Sequence, residues 1–315
     1  MRKWLVRVAL VALVGLILFV GVEFLRMQLA RNESRQETLA IAASAPLQIG
    51  ETTRFEIVPL YENAAEGDLQ PGAGVSYLVR TDNNTILFDL GNNPDGASPS
   101  PLEQNLSRLA ISLDDVDQIV ISHRHPDHVG GQFWWIEKTF SLTGGSQPPL
   151  GDLPVYIPEP MTYPSSDLTL TKAPTRLANG VATTGLISYS QPFPIWLAIP
   201  KGDEEALAVN VAGRGIVLIT GCGHMGLKTL LERADAVFDA PVVGVVGGLH
   251  YGSADPAALQ GEIELLRNLD PLLVALSPHD SGPAALDAFA RAFPSAYQAV
   301  RVGATISLPQ ATTRN

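Results

Sequence analysis

The histidines of this chain are placed in a way that constrains its fold. All six lie at or just after the end of a short apolar run, and they are His123, His125, His128, His224, His250 and His279. The runs have the length of β-strands and are rich in Val and Ile. Because strand ends in layered α/β folds open onto a common edge where sites form, a chain of this pattern is expected to gather its histidines in one place.

Seven apolar runs carry the strand prediction: FEIVPL, VSYLVR, TILFDLG, QIVISH, GIVLITG, PVVGVVGG and LLVALSP. Stretches of helix length fall between them: PLEQNLSRLAI, GLKTLLERADAVF, PAALQGEIELLRNL and AALDAFARAF. This alternation predicts a mixed α/β body with layered packing. Residues 141–200 are rich in Pro, Gly, Ser and Thr, and they predict a long loop or an insertion beside the site.

An uncharged stretch, VALVALVGLILFVGV, precedes the body. Counted from Trp4 to Leu25, it is long enough to span a bilayer as one helix. A cleaved signal peptide is the alternative, but the nearest small-residue cleavage sites lie near Ala42 to Ala45, far downstream of the apolar run. We therefore predict a membrane anchor (or signal peptide) over residues 1–25, a linker over residues 26–51 and a catalytic domain over residues 52–315.

Charge is distributed unevenly along the chain. Six basic residues stand against two acidic ones in the first 35 positions, whereas the whole chain carries a net charge of -11. Such an acidic body repels phosphate backbones, so no nucleic-acid partner is expected. The basic residues are divided equally between the two sides of the apolar stretch, so the positive-inside rule barely separates the two orientations. We expect the catalytic domain outside the cytoplasmic membrane, in the periplasm or outside the cell.

The stretch ISHRHPDHVGG combines the side chains that bind metals. Imidazole nitrogen and carboxylate oxygen are the usual zinc ligands, and they also suit manganese or iron. Positions two apart in an extended loop point the same way, so His123 and His125 can bind one metal ion. Asp127 and His128 follow where the chain turns and can address a second ion. The next two residues are glycines, which permit a tight turn and close packing.

The motif H-x-H-x-D-H, followed by Gly130 and Gly131 and preceded by ILFDLG, resembles the metallo-β-lactamase superfamily. The resemblance implies a four-layer αββα sandwich with a one- or two-metal site at one edge of its sheets. More narrowly, the chain resembles the branch that includes the dihydropterin-methyl-(ribofuranosyl)aminobenzene phosphate synthases, on the segments GVSYLV, ILFDLG, SHRHPDHVGG, NGVATTG, TGCGHMG, GGLHYG and PHDSG. It departs from that branch after the last histidine, where Asp280, Ser281 and Gly282 replace Cys-Thr-Gly.

The same resemblance implies the metal ligands. For the first metal they are His123, His125 and His224, and for the second Asp127, His128 and His279. Cys222 stands where many relatives have a bridging aspartate, and it is either a thiolate ligand or a small buried residue. Asp89 is expected to orient a ligand histidine rather than to bind metal.

Two residues are predicted to take part in catalysis. Asp127 is expected to act there as well as in the metal site. His250 either donates a proton or holds the substrate, with a purely structural role as the alternative. Trp134 and Trp135 either wall the cleft or belong to the core.

These features predict a metal-dependent hydrolase that uses a metal-activated water on a small ester-type substrate: a phosphoester, a lactone or a thioester. The expected cofactor is zinc, one or two ions, with manganese or iron as alternatives. The first alternative function is a transferase acting on a dihydropterin diphosphate. An iron-dependent oxidoreductase is disfavoured because related diiron enzymes have glutamate where this chain has His125. A non-catalytic binding protein is disfavoured by the complete ligand set. The expected partners are a small-molecule substrate and, through the N-terminal helix, the membrane.

Overall fold

The computed structural model describes residues 2–42, 45–190, 201–252 and 255–309. A first sheet runs in chain order: β1 (Glu56–Tyr61), β2 (Ser76–Arg80), β3 (Thr85–Phe88), β4 (Gln118–Val120), β5 (Val155–Ile157) and β6 (Thr169–Leu170). The strands β1 to β3 are antiparallel, whereas β3 to β6 are parallel. The carboxyl ends of β3 and β4 therefore lie side by side.

The remaining strands are β7 (Thr175–Ala178), β8 (Val181–Thr183), β9 (Ile187–Ser190), β10 (Lys201–Glu204), β11 (Leu207–Val211), β12 (Gly215–Thr220), β13 (Val242–Gly247) and β14 (Leu273–Leu276). Six of them form the second sheet, in the order β14-β13-β12-β11-β8-β7, and β9 pairs with β10 alone. The strands β12, β13 and β14 are parallel, so their carboxyl ends also share one edge.

The helices are α1 (Arg2–Ala42), α2 (Pro101–Arg108), α3 (Gln132–Ile136), α4 (Leu227–Val237), α5 (Pro256–Arg267) and α6 (Pro283–Ala292). Alternation along the strands decides which side chains meet them. Ile86 and Phe88 point into a core shared by both sheets, whereas Leu87 points outward and belongs to the cluster that contains Leu102 and Leu106 of α2. The helices α4, α5 and α6 cover the outer face of the second sheet. The chain therefore has the αββα sandwich that the sequence predicted.

The sequence predicted a long loop or an insertion over residues 141–200, and residues 141–190 are not a long loop. They contain β5 to β9 and carry the chain from the first sheet to the second. The prediction failed because these strands are two to four residues long, too short for a periodic apolar pattern. The rest of the predicted loop, residues 191–200, lies outside the described residues.

The helix α1 contains the apolar stretch, and Leu10–Ala30 is long and apolar enough to cross a membrane. The helix does not end at Leu25 but continues to Ala42, through most of the predicted linker. Residues 26–42 lack Gly and Pro, so nothing in the sequence stops the helix there. Contacts with the body begin before residue 52, because Leu47 donates a backbone hydrogen bond to Val237 and the Ile49 side chain is buried. The division into anchor, linker and catalytic domain stays a prediction.

Candidate metal centre

The loop after β4 carries the first four predicted ligands into a buried position. His123 and His128 are buried, whereas His125 and Asp127 are half-buried. A turn at Gly130 ends the loop: the residue has a φ of 88°, and a Cβ atom there would lie 2.5 Å from the carbonyl oxygen of Ser141. Only glycine fits this conformation and this close approach, so the predicted tight turn is present.

One group of nitrogen atoms lies at the mouth of this loop. His123, His125 and His224 each offer a ring nitrogen, and these atoms lie within 4.8 Å of one another. The His123 Nε2 and His125 Nδ1 atoms are 3.0 Å apart. The structure thus brings together the three residues that the sequence analysis assigned to the first metal.

A second group contains a carboxylate, two imidazoles and a thiol. Asp127, His128, Cys222 and His279 offer atoms within 4.8 Å of one another. The Asp127 Oδ2 atom lies 2.7 Å from His279 Nε2 and 3.9 Å from His128 Nε2. The Cys222 Sγ atom lies 3.0 Å from His128 Nε2. Cys222 therefore lies with the second set of predicted ligands, within hydrogen-bonding distance of His128.

Asp89 connects the two groups through hydrogen bonds. Its Oδ2 atom accepts from His128 Nδ1 at 2.7 Å and from the Ser122 hydroxyl at 2.6 Å, and its Oδ1 atom accepts from the Ser122 backbone amide at 2.7 Å. The Ser122 oxygen in turn accepts from His123 Nδ1 at 2.9 Å. Both histidines thereby donate from Nδ1, and Nε2 is the atom that each can offer to a metal, in His128 once its second proton is lost.

Glu204 holds the loop after β12 in the same way, and the sequence analysis missed it. Its Oε1 atom accepts from the backbone amides of Cys222 and Gly223, at 3.1 and 2.8 Å. Its Oε2 atom accepts from the amide and from Nδ1 of His224, at 2.9 and 3.0 Å. No feature of the sequence distinguishes Glu204 from Glu205, which is also buried but bonds to Thr171.

Two further carboxylates support the last histidines. Glu62 Oε2 accepts from the His279 backbone amide at 3.2 Å, and Glu62 Oε1 accepts from the Tyr77 hydroxyl at 2.5 Å. Asp280 Oδ2 accepts from the His250 backbone amide at 3.0 Å. The His250 ring lies 4.9 Å from that of His224, measured between centroids, but it belongs to neither ligand group.

Electrostatics prepare most of these groups for metal binding. Burial, with help from neighbouring histidines, lowers the pKa of His123 well below its usual range and that of His125 to about 4. Both are therefore neutral at pH 7. Burial also acts to lower the pKa of His128, but the Asp89 and Asp127 carboxylates outweigh it and raise that pKa to about 9. A metal ion must displace this proton in order to bind.

The donor sets fit transition-metal ions. Nitrogen, thiol sulfur and carboxylate oxygen are the atoms that zinc prefers, and the lone pairs in each group converge because the far nitrogens of His123, His128 and His224 are engaged by acceptors. Burial and nearby carboxylates raise the pKa of the Cys222 thiol well above its usual range. A metal ion can reverse this, since coordination deprotonates a thiol.

A cavity of about 720 Å³ opens onto both groups. All residues of the two groups except His128 line its floor, and its walls include Trp135, Tyr189 and Lys201. The Tyr189 ring stacks on that of His224 with centroids 4.9 Å apart. Trp134 and Trp135 both pack against the cluster outside the first sheet, but only Trp135 also lines the cavity. Of the two tryptophans that the sequence analysis considered, Trp135 therefore lines the cleft.

Known proteins resemble this chain over most of its length. The family model of the metallo-beta-lactamase superfamily matches residues 69–277. The 7,8-dihydropterin-6-methyl-4-(beta-D-ribofuranosyl)-aminobenzene-5'-phosphate synthase of Methanocaldococcus jannaschii is 24% identical over 297 residues, which cover 82% of this chain and 99% of that protein. The N-acyl homoserine lactonase AiiB of Rhizobium rhizogenes is 34% identical over 74 residues, 18% of this chain and 27% of that protein.

Among solved structures, a metal-dependent hydrolase of the beta-lactamase superfamily superposes with a TM-score of 0.59. The two sequences are 20% identical, and the match covers 82% of this chain and 100% of the other. At this identity the likeness shows a common fold, and function has to be argued from the site itself.

Proposed function

Because this chain belongs to the metallo-β-lactamase superfamily, we propose that it is a metal-dependent hydrolase of ester-type substrates. The observation that carries the proposal is the pair of ligand groups at the floor of one open cavity. Divalent metal binding is a property of the fold, and the choice of zinc, as one or two ions, is part of the proposal. Zinc is favoured because the second group contains a thiol, which hard cations such as Mg²⁺ do not select.

When bound, a metal pair supplies a nucleophilic water at neutral pH and polarises the bond to be broken. The residues of the chain contribute the rest. Asp127 is at the boundary of the second group, with its Oδ2 atom 2.7 Å from His279 Nε2, and is the carboxylate placed to accept a proton from the attacking water. His250 is exposed at the same cavity and is placed to donate a proton to the leaving group or to hold the substrate.

The substrate that this site suits is small. The chain has a net charge of -11, so its long-range field repels large polyanions, including nucleic acids. A small phosphoester lies almost wholly within reach of the metal site, where local positive charge outweighs the distant field. We therefore favour a phosphoester over a lactone or a thioester.

The test is turnover of a panel of small phosphoesters, lactones and thioesters by the metal-loaded full chain in detergent. We expect hydrolysis of at least one member, with kcat/KM more than about a hundredfold above that of His279→Ala, since even the loss of a group that supports a metal ligand costs 10- to 100-fold. A panel on which the native chain and His279→Ala give the same rates would contradict the hydrolase proposal.

One observation favours a second candidate function. The synthase of M. jannaschii matches 82% of this chain. In a transferase of that type, a nucleophilic carbon replaces water at a pterin methylene and releases pyrophosphate. Consumption of a dihydropterin diphosphate only when an arylamine acceptor is present, together with no turnover of the ester panel, would favour this alternative.

We also propose that α1 anchors the protein in a membrane, with the body outside the cytoplasm. The apolar side chains of Leu10, Leu16, Phe19 and Leu25 are more than half exposed, so the described body does not bury them. We expect the full chain to stay with membranes after a wash at high salt, because hydrophobic burial is not screened by salt. The measurement is the partition of the chain between pellet and supernatant, and a soluble mature protein starting near Pro46 would indicate a cleaved signal instead.

A further inference from the structure

The helix α1 is attached to the body within its apolar stretch. Glu23 is 4% exposed, and Met27, Gln28 and Ala30 are half-buried, whereas the described side chains before Glu23 are exposed. The elements that α1 contacts are β9, β10 and α4. The body therefore packs directly against α1 and is not joined to it only by a flexible linker.

In α1, every described side chain up to Val22 is exposed, and the length of this part bears on how far the body lies from a bilayer. The residues from Trp4 to Val22 extend about 28 Å at the helical rise of 1.5 Å per residue. The hydrocarbon core of a bilayer is about 30 Å thick. If this part of α1 crosses the membrane, Glu23 lies at the edge of the hydrocarbon, and β9 and β10 lie at the membrane surface.

The same two strands form one wall of the catalytic cavity. Tyr189 and Ser190 of β9 line it, as do Lys201 and Asp203 of β10. Tyr189 also stacks on His224 of the first ligand group. A single two-stranded hairpin thus separates the membrane helix from the metal centre.

The helix α3 also contributes to the cavity lining, and it exposes two large apolar side chains. Phe133 is 61% exposed and Ile136 is 60% exposed, and they share one face of α3 because they are three residues apart. Trp135, between them in the sequence, lines the cavity. Among the described residues after α1, the one other exposed large hydrophobic side chain is that of Leu170, at 37%. Phe133 and Ile136 therefore form an exposed apolar patch on α3, the helix whose Trp135 lines the cavity.

An ion pair between Arg124 and Glu159 also lines the cavity. Arg124 donates to the carbonyl oxygen of Trp135 at 2.8 Å and to Glu159 Oε2 at 3.2 Å. Asp203 of β10 lines the same cavity as this ion pair and as Trp135 of α3. The lining therefore includes residues of α3, the ion pair and β10, and β10 contacts α1.

We propose that the mouth of the cavity rests on a lipid bilayer and that the substrate is an amphiphile. Its apolar chain stays in the bilayer beside Phe133 and Ile136, and its ester-type bond reaches the metal centre. A lipid surface is favoured over a protein partner because the apolar patch lies on α3, whose Trp135 lines the same cavity as the hairpin that packs against the membrane helix. This proposal rests on the hydrolase function proposed above.

The proposed reaction on the amphiphile is a hydrolysis. The oxygen of water bonds to the acyl carbon or the phosphorus, the bond from that atom to the leaving oxygen breaks, and the proton of water ends on the leaving oxygen. The products are an acid and an alcohol. One of them keeps the apolar chain and returns to the bilayer, while the other leaves into water.

The position of α3 can be measured without any turnover. A spin label on Ile136→Cys, in the full chain in phosphatidylcholine vesicles, should relax with dissolved oxygen more than with a water-soluble nickel chelate, because oxygen concentrates in lipid. The matched label on Leu170→Cys should show the reverse. Equal nickel accessibility at both labels would overturn the proposed contact with the bilayer. The unsubstituted chain, whose single cysteine is buried, corrects for background labelling.

The substrate class is tested by chain length in the same vesicles. The probes are two matched pairs, 4-nitrophenyl butyrate with 4-nitrophenyl dodecanoate, and ethyl with dodecyl 4-nitrophenyl phosphate. For the pair that is hydrolysed, we expect kcat/KM to be at least about tenfold higher for the long chain. The variant carrying Phe133→Ser and Ile136→Ser should lose most of this preference, and Leu170→Ser should keep it.

The outcomes separate the two proposals. Hydrolysis of a short-chain probe without any long-chain preference would overturn the amphiphile and leave the hydrolase standing. A preference that survives in a folded Phe133→Ser, Ile136→Ser variant would overturn the role of α3. No hydrolysis of any probe above the His279→Ala background would overturn both proposals.

Discussion

Replacing His123 by alanine should remove metal and activity together. Its ring lies at the centre of the site, with centroids 4.5 Å from His125, 4.1 Å from His128 and 4.8 Å from His224. Because it offers a nitrogen to the first ligand group, its loss leaves two donors there. We expect kcat/KM to fall by more than about a hundredfold, the upper end of the cost of losing a group that only supports a ligand.

The measurement is metal content by elemental analysis, made on the same preparations as the kinetics. His250→Ala is the matched control: this histidine lies at the same cavity but outside both ligand groups, so the variant should keep its metal. Asp127→Ala should behave like His123→Ala and lose metal at the second group. Full activity in metal-free protein would refute the assignment of the site.

Replacing Asp89 by asparagine should weaken metal binding without removing any ligand. The Oδ2 atom of Asp89 accepts from both His128 Nδ1 and the Ser122 hydroxyl, and an amide nitrogen in its place would face two donors. His128 then tends to move its proton to Nε2, the atom that must bind the metal. We expect metal affinity to fall 10- to 100-fold.

Competition with a chromophoric chelator measures this affinity, and thermal unfolding checks that the variant is folded. Asp117→Asn is the matched control, because Asp117 also accepts from a backbone amide, that of Thr85, but at the opposite end of β3. It should bind metal like the native chain. A folded Asp89→Asn variant with native metal affinity would show that Asp89 does not act through His128.

The sequence predicted β1 to β4 and β12 to β14 but missed β5 to β11, most of which have four residues or fewer. Runs such as GIVLIT and VVGVVG are nearly continuous in Val, Ile and Leu, which is typical of a parallel strand covered on both faces. They form β12 and β13. In contrast, β6, β7 and β8 have only two to four residues each, and these include Thr, Arg and Ala. Such strands are held by their neighbours in the sheet, so local sequence does not reveal them.

Some residues of the site could be predicted from the sequence and others could not. The spacing of His123, His125 and His128 indicates metal binding on its own, because the chemistry of these residues at short range admits few alternatives. Glu204 was not predictable, since its role depends on the β10 and β12 loops meeting in space. The resemblance had indicated both Cys222 and Asp89, and the structure adds their partners: Cys222 lies with the second group, and Asp89 accepts from His128 and Ser122.

The ligands of each group come from both sheets: the β4 loop supplies His123, His125, Asp127 and His128, and the ends of β12 and β14 supply Cys222, His224 and His279. A metal ion that binds here therefore crosslinks the two halves of the sandwich. An ion bound only by the folded chain, at a hundredfold excess over its Kd, adds about 2.7 kcal/mol to the free energy of unfolding. We therefore expect loss of the metal to lower the stability of the folded chain as well as its activity.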